Sequence, residues 1–183
     1  MRTLKHHEQK LLKKVDFFNY GKDNSVREIK ILRRYHILNR ADYDHYNRIV
    51  GMVTKLSNKL ELMPPSDEQR IKNTKTLLTK LYSMGVINHT QSLLVAKNLT
   101  ASAFCRRRLP IIIVKLKMAD SPRSATQMIE QGHIRVGTET IMDPAYLVPR
   151  HLEDFVTWVD SSKYRQHIAK YQNQYDDYEF TSR

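Results

Sequence analysis

The sequence predicts an α+β protein that is mainly helical and carries one small β-hairpin. Hydrophobic residues recur at helical spacing along most of the 183 residues, whereas a two-residue alternation appears only after Gly132. There Ile134 and Val136 are expected to face the core, while His133 and Arg135 point outward. A chain of this length can bury one sizeable core, or one small domain with helical additions.

The helix before the hairpin has the clearest start and stop signals. Ser121 is a favourable N-cap, Pro122 suits the first helical position, and Gly132 can adopt the left-handed conformation that ends a helix. These signals predict a helix over residues 122–131, followed by a hairpin that turns at Gly137-Thr138. The inner face of this helix is expected to contain Ala125, Met128 and Ile129.

The preceding segment can be read in two ways. Ile111 to Val114 is a β-branched run, which propensity alone favours as a buried strand. Pro110 as a helix start, together with an apolar stripe at helical spacing, favours a helix instead. The stripe consists of Leu109, Ile112, Ile113 and Leu116.

The chain ahead of these elements is predicted to be helical. Residues 4–18 and 26–38 form short, basic, amphipathic helices without a core of their own. A helix over 41–63 and a second one that stops at Gly85 are joined by Pro64-Pro65 and pair as an antiparallel hairpin, on which the central unit docks. Two more short helices are expected at 90–94 and 100–106. The buried stripes of the two long helices are expected to contain Tyr46, Ile49, Val50, Val53, Leu56 and Leu60, and Ile71, Leu77, Leu78, Leu81 and Tyr82.

The formal net charge of +12 is unevenly distributed along the chain. Residues 1–60 carry a net charge of +8, residues 61–104 of +2, residues 105–150 of +4 and residues 151–183 of −2. Clustering of this kind is typical of a nucleic-acid footprint. We expect four regions: a basic N-terminal helical extension (1–40), a helical support region (41–104), a nucleic-acid-binding unit (105–150) and a C-terminal extension (151–183).

The C-terminal extension differs from the rest in composition. Residues 152–159 are expected to return to the core as a strand or a short helix. An aromatic stripe at helical spacing follows, for which packing on the protein's own core is favoured over binding to a partner. The stripe consists of Tyr164, Ile168, Tyr171, Tyr175 and Tyr178. The acidic run from Asp176 to Glu179 is not expected to contact phosphate.

The sequence lacks the residues that several classes of function require. A single cysteine, Cys105, excludes an internal disulfide and a cysteine-rich zinc site, and it is expected to be a small packed residue. No apolar run has the length of a membrane span and Lys5 to Glu8 excludes a secretory signal, so an intracellular protein without a membrane partner is expected. The five glycines form no phosphate-binding loop, and Asp42 and His45 are ordinary neighbours on a helix. We expect no catalytic residue, metal site, cofactor or small-molecule substrate.

A series of residues in the central unit carries a resemblance to a known family. The series consists of Arg107-Arg108-Leu109, Val114-Lys115-Leu116, Ser121, Arg123, Ala125, Gln127-Met128-Ile129, Gly132 to Val136 and Pro144 to Val148. It resembles the S-four-type RNA-binding domain, which is named for a protein of the small ribosomal subunit. The sequence as a whole resembles the S-four-domain subunits of the U-three small nucleolar ribonucleoprotein.

RNA binding requires cations spaced to meet phosphates, because side chains cannot read the deep groove of an A-form helix. The resemblance implies that the two central helices and the hairpin contact RNA. No aromatic ring for base stacking lies on this face, so contacts mainly to the RNA backbone are expected. Nine residues are candidates for one continuous basic face: Arg106, Arg107, Arg108, Lys115, Lys117, Arg123, Gln127, His133 and Arg135. The first choices among them are Arg107, Arg108, Arg123, Gln127 and Arg135.

The resemblance also implies a function in ribosome assembly. The expected protein is a nucleolar assembly factor that promotes or stabilises pairing of the U-three small nucleolar RNA with the ribosomal RNA precursor, beside other protein subunits of the small-subunit processome. The alternatives are a structural protein of the mature small ribosomal subunit and a general binder of double-stranded RNA. S-four-type domains also accompany pseudouridine synthases and tyrosyl-tRNA synthetases. The catalytic signatures of those enzymes are absent from this sequence, so no enzyme is expected.

Overall fold

The structure, a computed structural model, describes residues 2–14 and 26–174. The chain divides into two compact units, the first ending at Arg34 and the second beginning at Tyr35. Each unit is described by itself below.

The first unit contains helix α1 (His6–Lys14) and helix α2 (Val26–Arg34). The Glu8 carboxylate accepts the Lys5 backbone N–H at 2.9 Å and so fixes the first turn of α1. No residue of α2 is buried, in agreement with the prediction of a basic helix without its own core. Val15 and Phe18, predicted to belong to the first helix, lie outside the described residues.

The second unit begins with a pair of long helices. Helix α3 spans Arg40–Leu62 and helix α4 spans Glu68–Ser83, as the proline pair between them predicts. The Asp67 side chain accepts the Gln69 backbone N–H at 2.9 Å and caps α4. The two helices pack against each other and form the support for the central elements.

The buried stripes of α3 and α4 differ from the predicted ones. Leu56 is 42% exposed, and Ser57, one turn after Val53, is fully buried in its place. Ile71 of α4 is 58% exposed and Tyr82 is 37% exposed, so the predictions for these three apolar side chains were wrong. Helical spacing identifies a stripe to within one residue, and the direction of the packed neighbour decides between adjacent positions.

Two short helices, α5 (Leu93–Lys97) and α6 (Ala101–Cys105), pack against α3. The first starts later than the predicted residues 90–94, because the side chain of Ser92 caps it by accepting a backbone N–H. The Tyr46 ring of α3 stacks on the Phe104 ring of α6 with 5.8 Å between centroids. These contacts bring the end of α6, and the arginines that follow it, onto the support.

The central unit begins with helix α7 (Leu109–Lys115) and helix α8 (Pro122–Glu130), which pack on each other. The run Ile111 to Val114 is therefore helical, as Pro110 indicates and against its β-branched composition. Leu116, predicted to lie in the stripe, is 38% exposed because the helix has ended before it. The core beneath comprises Leu109, Ile112, Ile113, Ala125, Ile129, Ile134, Val136, Val148 and Val156.

The caps and the hairpin agree with their sequence signals. The side chains of Ser121 and Ser124 form a reciprocal capping box at the start of α8, and Gly132 adopts a φ of 73° after its end. Strands β1 (Ile134–Val136) and β2 (Glu139–Thr140) pair antiparallel. In β1 both ends are buried while the central arginine is partly exposed, which confirms the predicted alternation.

The chain after the hairpin adds a third strand within residues 152–159, where the sequence predicts a strand or a short helix that returns to the core. A 3₁₀ helix (Arg150–Phe155) leads into β3 (Val156–Trp158), which pairs antiparallel with β1 and gives the sheet order β2-β1-β3. Helix α9 (Lys163–Tyr171) follows with no buried residue. The Tyr164 ring stacks on the Trp158 ring of β3 with 5.7 Å between the ring centroids, but Tyr171 is 88% exposed. Only part of the aromatic stripe therefore packs on the protein's own core, which was the favoured interpretation. Tyr175 and Tyr178 lie outside the described residues. The prediction of a mainly helical α+β fold is confirmed.

Candidate nucleic-acid interface

The three consecutive arginines of the predicted basic face separate in the folded chain. Arg106 follows α6 directly and is exposed, without an ion pair to any other residue that the structure describes. Arg107 is only 8% exposed and Arg108 only 3%. Two of the five first-choice residues therefore lie inside the protein.

Arg107 connects three parts of the second unit through its guanidinium group. Its Nε and Nη2 donate to the carbonyl oxygen of Val148 at 3.0 and 2.7 Å, and its Nη1 donates to the Glu153 carboxylate at 2.7 Å. The same group lies against Gly85 at the end of α4, where a Cβ atom would come within 2.7 Å of Cζ. Gly85 has a φ of 71°, so the turn and the close approach both require glycine. Arg107 is thus a structural residue, and we leave it out of the RNA-contacting surface.

Arg108 joins the central unit to α3. Its Nη1 donates to the Asp42 carboxylate at 2.9 Å and to the Tyr46 hydroxyl at 3.2 Å. Burial opposes the charged guanidinium, but the hydrogen bonds and charges of these two partners together hold the pKa of Arg108 above its ordinary value. Burial raises the pKa of the Tyr46 hydroxyl, because it disfavours the charged phenolate, although the charge and the hydrogen bond of Arg108 act in the opposite direction. Arg108 is therefore also structural in this fold.

The sequence contained one indication of these partners that its interpretation missed. Asp42 lies one turn before Tyr46 and so sits at the edge of the buried stripe of α3. A carboxylate at the edge of a core requires a cation or several hydrogen-bond donors. Nothing local identifies Arg108 as that cation, because the two residues are 66 positions apart.

Lys115 keeps its charged end in solvent while sharing an acidic neighbour with Arg107. Its ammonium group pairs with the second oxygen of Glu153, and its side chain remains 66% exposed. The hydrogen bond from Lys115 and the pairing with Arg107 lower the pKa of Glu153 against the opposing effect of burial. Lys115 can therefore still contact a phosphate, unlike Arg107.

Three further candidates are freely presented. Arg123 and Gln127 are exposed and lie four residues apart, on the outer face of α8. Lys117 is exposed in the turn between α7 and α8, where its backbone adopts a φ of 59°. None of the three makes a side-chain hydrogen bond or ion pair within residues 2–14 and 26–174. They have the exposure that phosphate contact requires.

His133 and Arg135, the two candidates beside and within β1, form hydrogen bonds with β3 and with the chain that follows it. Arg135 donates to the Thr157 hydroxyl at 3.1 Å and to the Asp160 carboxylate at 2.9 Å. His133 forms a hydrogen bond of 3.1 Å with the Ser162 hydroxyl. Its ring also packs edge-to-face against the Tyr164 ring, with 4.8 Å between the ring centroids. Both side chains are therefore partly covered by the C-terminal segment.

The described residues contain no candidate metal site, and the thiol of Cys105 is buried. No three or more histidine, cysteine, aspartate or glutamate side chains come close enough there to hold a metal ion. Burial raises the pKa of the Cys105 thiol to about 11, so this fully buried residue stays protonated at neutral pH and is packed, as predicted. None of the described helices has both the length and the apolar character needed to cross a membrane.

Comparison with known proteins assigns the chain to a family. Residues 3–106 match "Ribosomal protein S4/S9 N-terminal domain" and residues 107–154 match "S4 domain". The "U3 small nucleolar ribonucleoprotein protein IMP3" of Saccharomyces cerevisiae is 52% identical over 182 residues, which cover 99% of this chain and 100% of the relative. The protein of the same name in Homo sapiens is 46% identical, with 98% of each chain covered. The chain belongs to the IMP3 family.

The IMP3 family is itself related to a ribosomal protein family. "Small ribosomal subunit protein uS4" of Hyperthermus butylicus is 31% identical over 85% of this chain and 88% of the relative. IMP3 proteins and the ribosomal uS4 proteins are non-enzymatic RNA-binding components of ribonucleoprotein particles, so the prediction of RNA binding without enzymatic activity is confirmed. The geometry above divides the nine candidates of this IMP3-family chain into two that are buried, two that are partly covered and five that are exposed.

Proposed function

We propose that the chain acts as an RNA-binding component of the U3 small nucleolar ribonucleoprotein. The observation that carries this proposal is its similarity, over nearly the whole chain, to proteins that bear the name of that particle. We assign RNA contact to the five exposed candidates: Arg106, Lys115, Lys117, Arg123 and Gln127.

The proposed role is to promote or stabilise pairing of the U3 small nucleolar RNA with the ribosomal RNA precursor. Two RNA strands repel each other through their phosphates, and cations that contact both strands lower this repulsion. The five assigned side chains include no aromatic ring, so they contact the backbone and leave sequence selection to base pairing between the strands. The site of action that follows is the nucleolus.

Contacts with other protein subunits of the small-subunit processome are assigned to the N- and C-terminal helices. On α9, Tyr171 is 88% exposed and Ile168 is 36% exposed. Apolar side chains presented in this way favour burial against a partner protein over contact with phosphate.

An annealing assay tests the pairing role. A labelled oligonucleotide from the U3 RNA and its complement from the precursor are mixed with and without protein, and the rate of duplex formation is recorded. The protein is expected to accelerate annealing, and a variant carrying Arg106→Ala, Lys117→Ala and Arg123→Ala is expected to lose the acceleration. No acceleration by the unmodified protein would reject the pairing role.

The matched control removes the same charge elsewhere. Lys72, Lys75 and Lys80 are exposed on α4, so replacing all three by alanine also lowers the net charge by three. This control is expected to retain acceleration. Equal losses in the two triple variants would mean that total charge, and not the assigned residues, carries the effect.

The similarity to uS4 favours a second candidate function, a structural protein of the mature small ribosomal subunit. Sedimentation of cell extract separates the two possibilities. An assembly factor is expected in precursor particles and absent from mature small subunits, whereas a ribosomal protein is expected to migrate with them.

A further inference from the structure

We propose that a groove beside α7 holds one unpaired nucleotide of the bound RNA, a site that rests on the proposed RNA-binding function and adds to it. The groove has a volume of about 520 Å³ and lies between α7, the short helices α5 and α6, and the loop of residues 85–89. This volume is within the range of about 300–1,000 Å³ that small-molecule sites occupy, so it suits a single nucleotide.

The floor of the groove is apolar. Ile112 is 1% exposed and Leu99 is 9% exposed, and Ile111 and Val95 lie beside them with partly exposed side chains. Ile111 and Lys115 are four residues apart and therefore lie on one face of α7, which places an apolar surface directly beside a cation. A nucleotide has the same division, because the faces of its base are apolar while its ribose carries a charged phosphate.

The rim of the groove is polar and cationic. Within the described part of the chain, Arg106 supplies unpaired positive charge and Lys115 supplies charge that it shares with Glu153, while no aspartate or glutamate is among the lining residues. Asn88, Asn98 and Thr100 are also exposed there. Asparagine side chains both donate and accept hydrogen bonds, as the edges of nucleobases do, while the two cations match a phosphodiester.

An unpaired nucleotide fits this combination better than a paired one does. In an A-form duplex the bases are stacked and their edges are largely out of reach, whereas the bases of bulges and loops can be turned outward into a protein site. None of the residues that line the groove belongs to α8, on which Arg123 and Gln127 lie. The two regions therefore have different tasks, with Arg123 and Gln127 on duplex backbone and the groove on a nucleotide beside the duplex.

A pair of RNA hairpins tests the assignment. One has a fully paired stem, and the other has the same stem interrupted by a bulge of three uridines. The unmodified protein is expected to bind the bulged hairpin about tenfold more tightly, since burial of one base face against the apolar floor contributes on this order. Arg106→Glu, which reverses a rim charge, and Asn98→Leu, which replaces a hydrogen-bonding amide of the rim with an apolar side chain, are each expected to reduce the preference to about twofold or less.

Arg48→Glu is the matched control, because Arg48 is exposed on α3, lies outside the groove, and undergoes the same change of charge. It is expected to weaken binding to both hairpins alike and to keep the tenfold ratio. A thiouridine placed in the bulge is expected to cross-link to residues 86–106.

Three results would overturn the assignment. The first is a preference for the bulged hairpin that survives both groove variants. The second is an oligoglutamate peptide that competes with RNA for the unmodified protein but not for the groove variants, while these variants keep their preference for the bulged hairpin. The groove would then belong to an acidic protein partner. The third is binding of neither hairpin by the unmodified protein, which rejects RNA binding itself and not only its location.

Discussion

Replacing Arg107 by alanine is expected to lower the free energy of unfolding by about 3 kcal/mol while leaving RNA affinity nearly unchanged. The guanidinium makes two hydrogen bonds to the carbonyl oxygen of Val148 and one to Glu153, all between 2.7 and 3.0 Å. Val148 is fully buried in the folded protein, so its carbonyl oxygen loses both of its charged donors inside the protein. The side chain also fills the space against Gly85.

The magnitude follows from these contacts. A buried carbonyl left without its charged donors costs about 1–3 kcal/mol, and an interrupted buried ion pair costs about 3–5 kcal/mol when no other partner remains. Glu153 keeps its pairing with Lys115 and is 16% exposed, so its share falls below that range, at about 1 kcal/mol, and is added to about 2 kcal/mol for the carbonyl. The total of about 3 kcal/mol is a large part of the roughly 5–15 kcal/mol by which a typical domain is stable.

Urea denaturation of Arg107→Ala and Arg106→Ala provides the comparison. Arg106 is the adjacent residue but is exposed, so its loss is expected to change stability by about 0.5 kcal/mol or less. RNA titrations below the unfolding transition are expected to show the reverse order, with the larger loss of affinity in Arg106→Ala. Arg107→Lys is expected to remain destabilised, because an ammonium group cannot reproduce the three directed contacts. A loss below about 1 kcal/mol for Arg107→Ala, or equal effects of the two alanine variants on stability, would refute the structural assignment.

Four other substitutions have outcomes that the structure specifies. Arg123→Ala is expected to reduce the steepness of log K against log salt by about 0.7–0.9, as loss of one phosphate contact requires, and an unchanged slope would remove Arg123 from the interface. Gly85→Ala is expected to lower the free energy of unfolding by about 2 kcal/mol or more, because Gly85 has a positive φ and lies against Arg107. Gly51→Ala is the control, since nothing lies within 4 Å of the added Cβ, and it is expected to raise the free energy of unfolding by about 0.5–1 kcal/mol. Urea denaturation measures both. Because the pKa of Glu153 is lowered, its ion pairs stabilise the fold fully above the ordinary carboxyl pKa of 4.5 and less as pH falls through the lowered value. Glu153→Gln is therefore expected to make the free energy of unfolding fall less steeply below about pH 4.5. An unchanged pH dependence of the free energy of unfolding in this range would contradict the assignment.

Local signals predicted most of the elements. Ser121, Pro122 and Gly132 place the two ends of α8 to within a residue, because caps and positive-φ positions depend on the neighbouring backbone alone. The proline pair between α3 and α4 and the alternation in β1 succeed for the same reason. A strand or a short helix was predicted over residues 152–159, but the pairing of β3 with β1 was not evident, since β3 is short and its partner lies 22 residues earlier in the chain.

The candidate interface was predictable in composition but not in detail. Charge clustering and the family resemblance identified the central unit, and five of its nine candidates are exposed. Periodicity cannot show which cation meets a distant acid. His133 and Arg135 illustrate this, because their partners follow β3 and lie outside the region that the basic pattern covers.

By itself the sequence determined where helices begin and end, that a hairpin follows Gly132, that the chain is basic, and that it resembles an S4-type RNA binder. Only the tertiary structure decided which of three adjacent arginines reaches solvent. The acceptors of Arg107 and Arg108 lie 41 to 66 positions away along the chain, so their capture depends on how α3, the Val148 segment and the 3₁₀ helix converge. Arg106 stays available because no acid meets it in the part of the second unit that the structure describes.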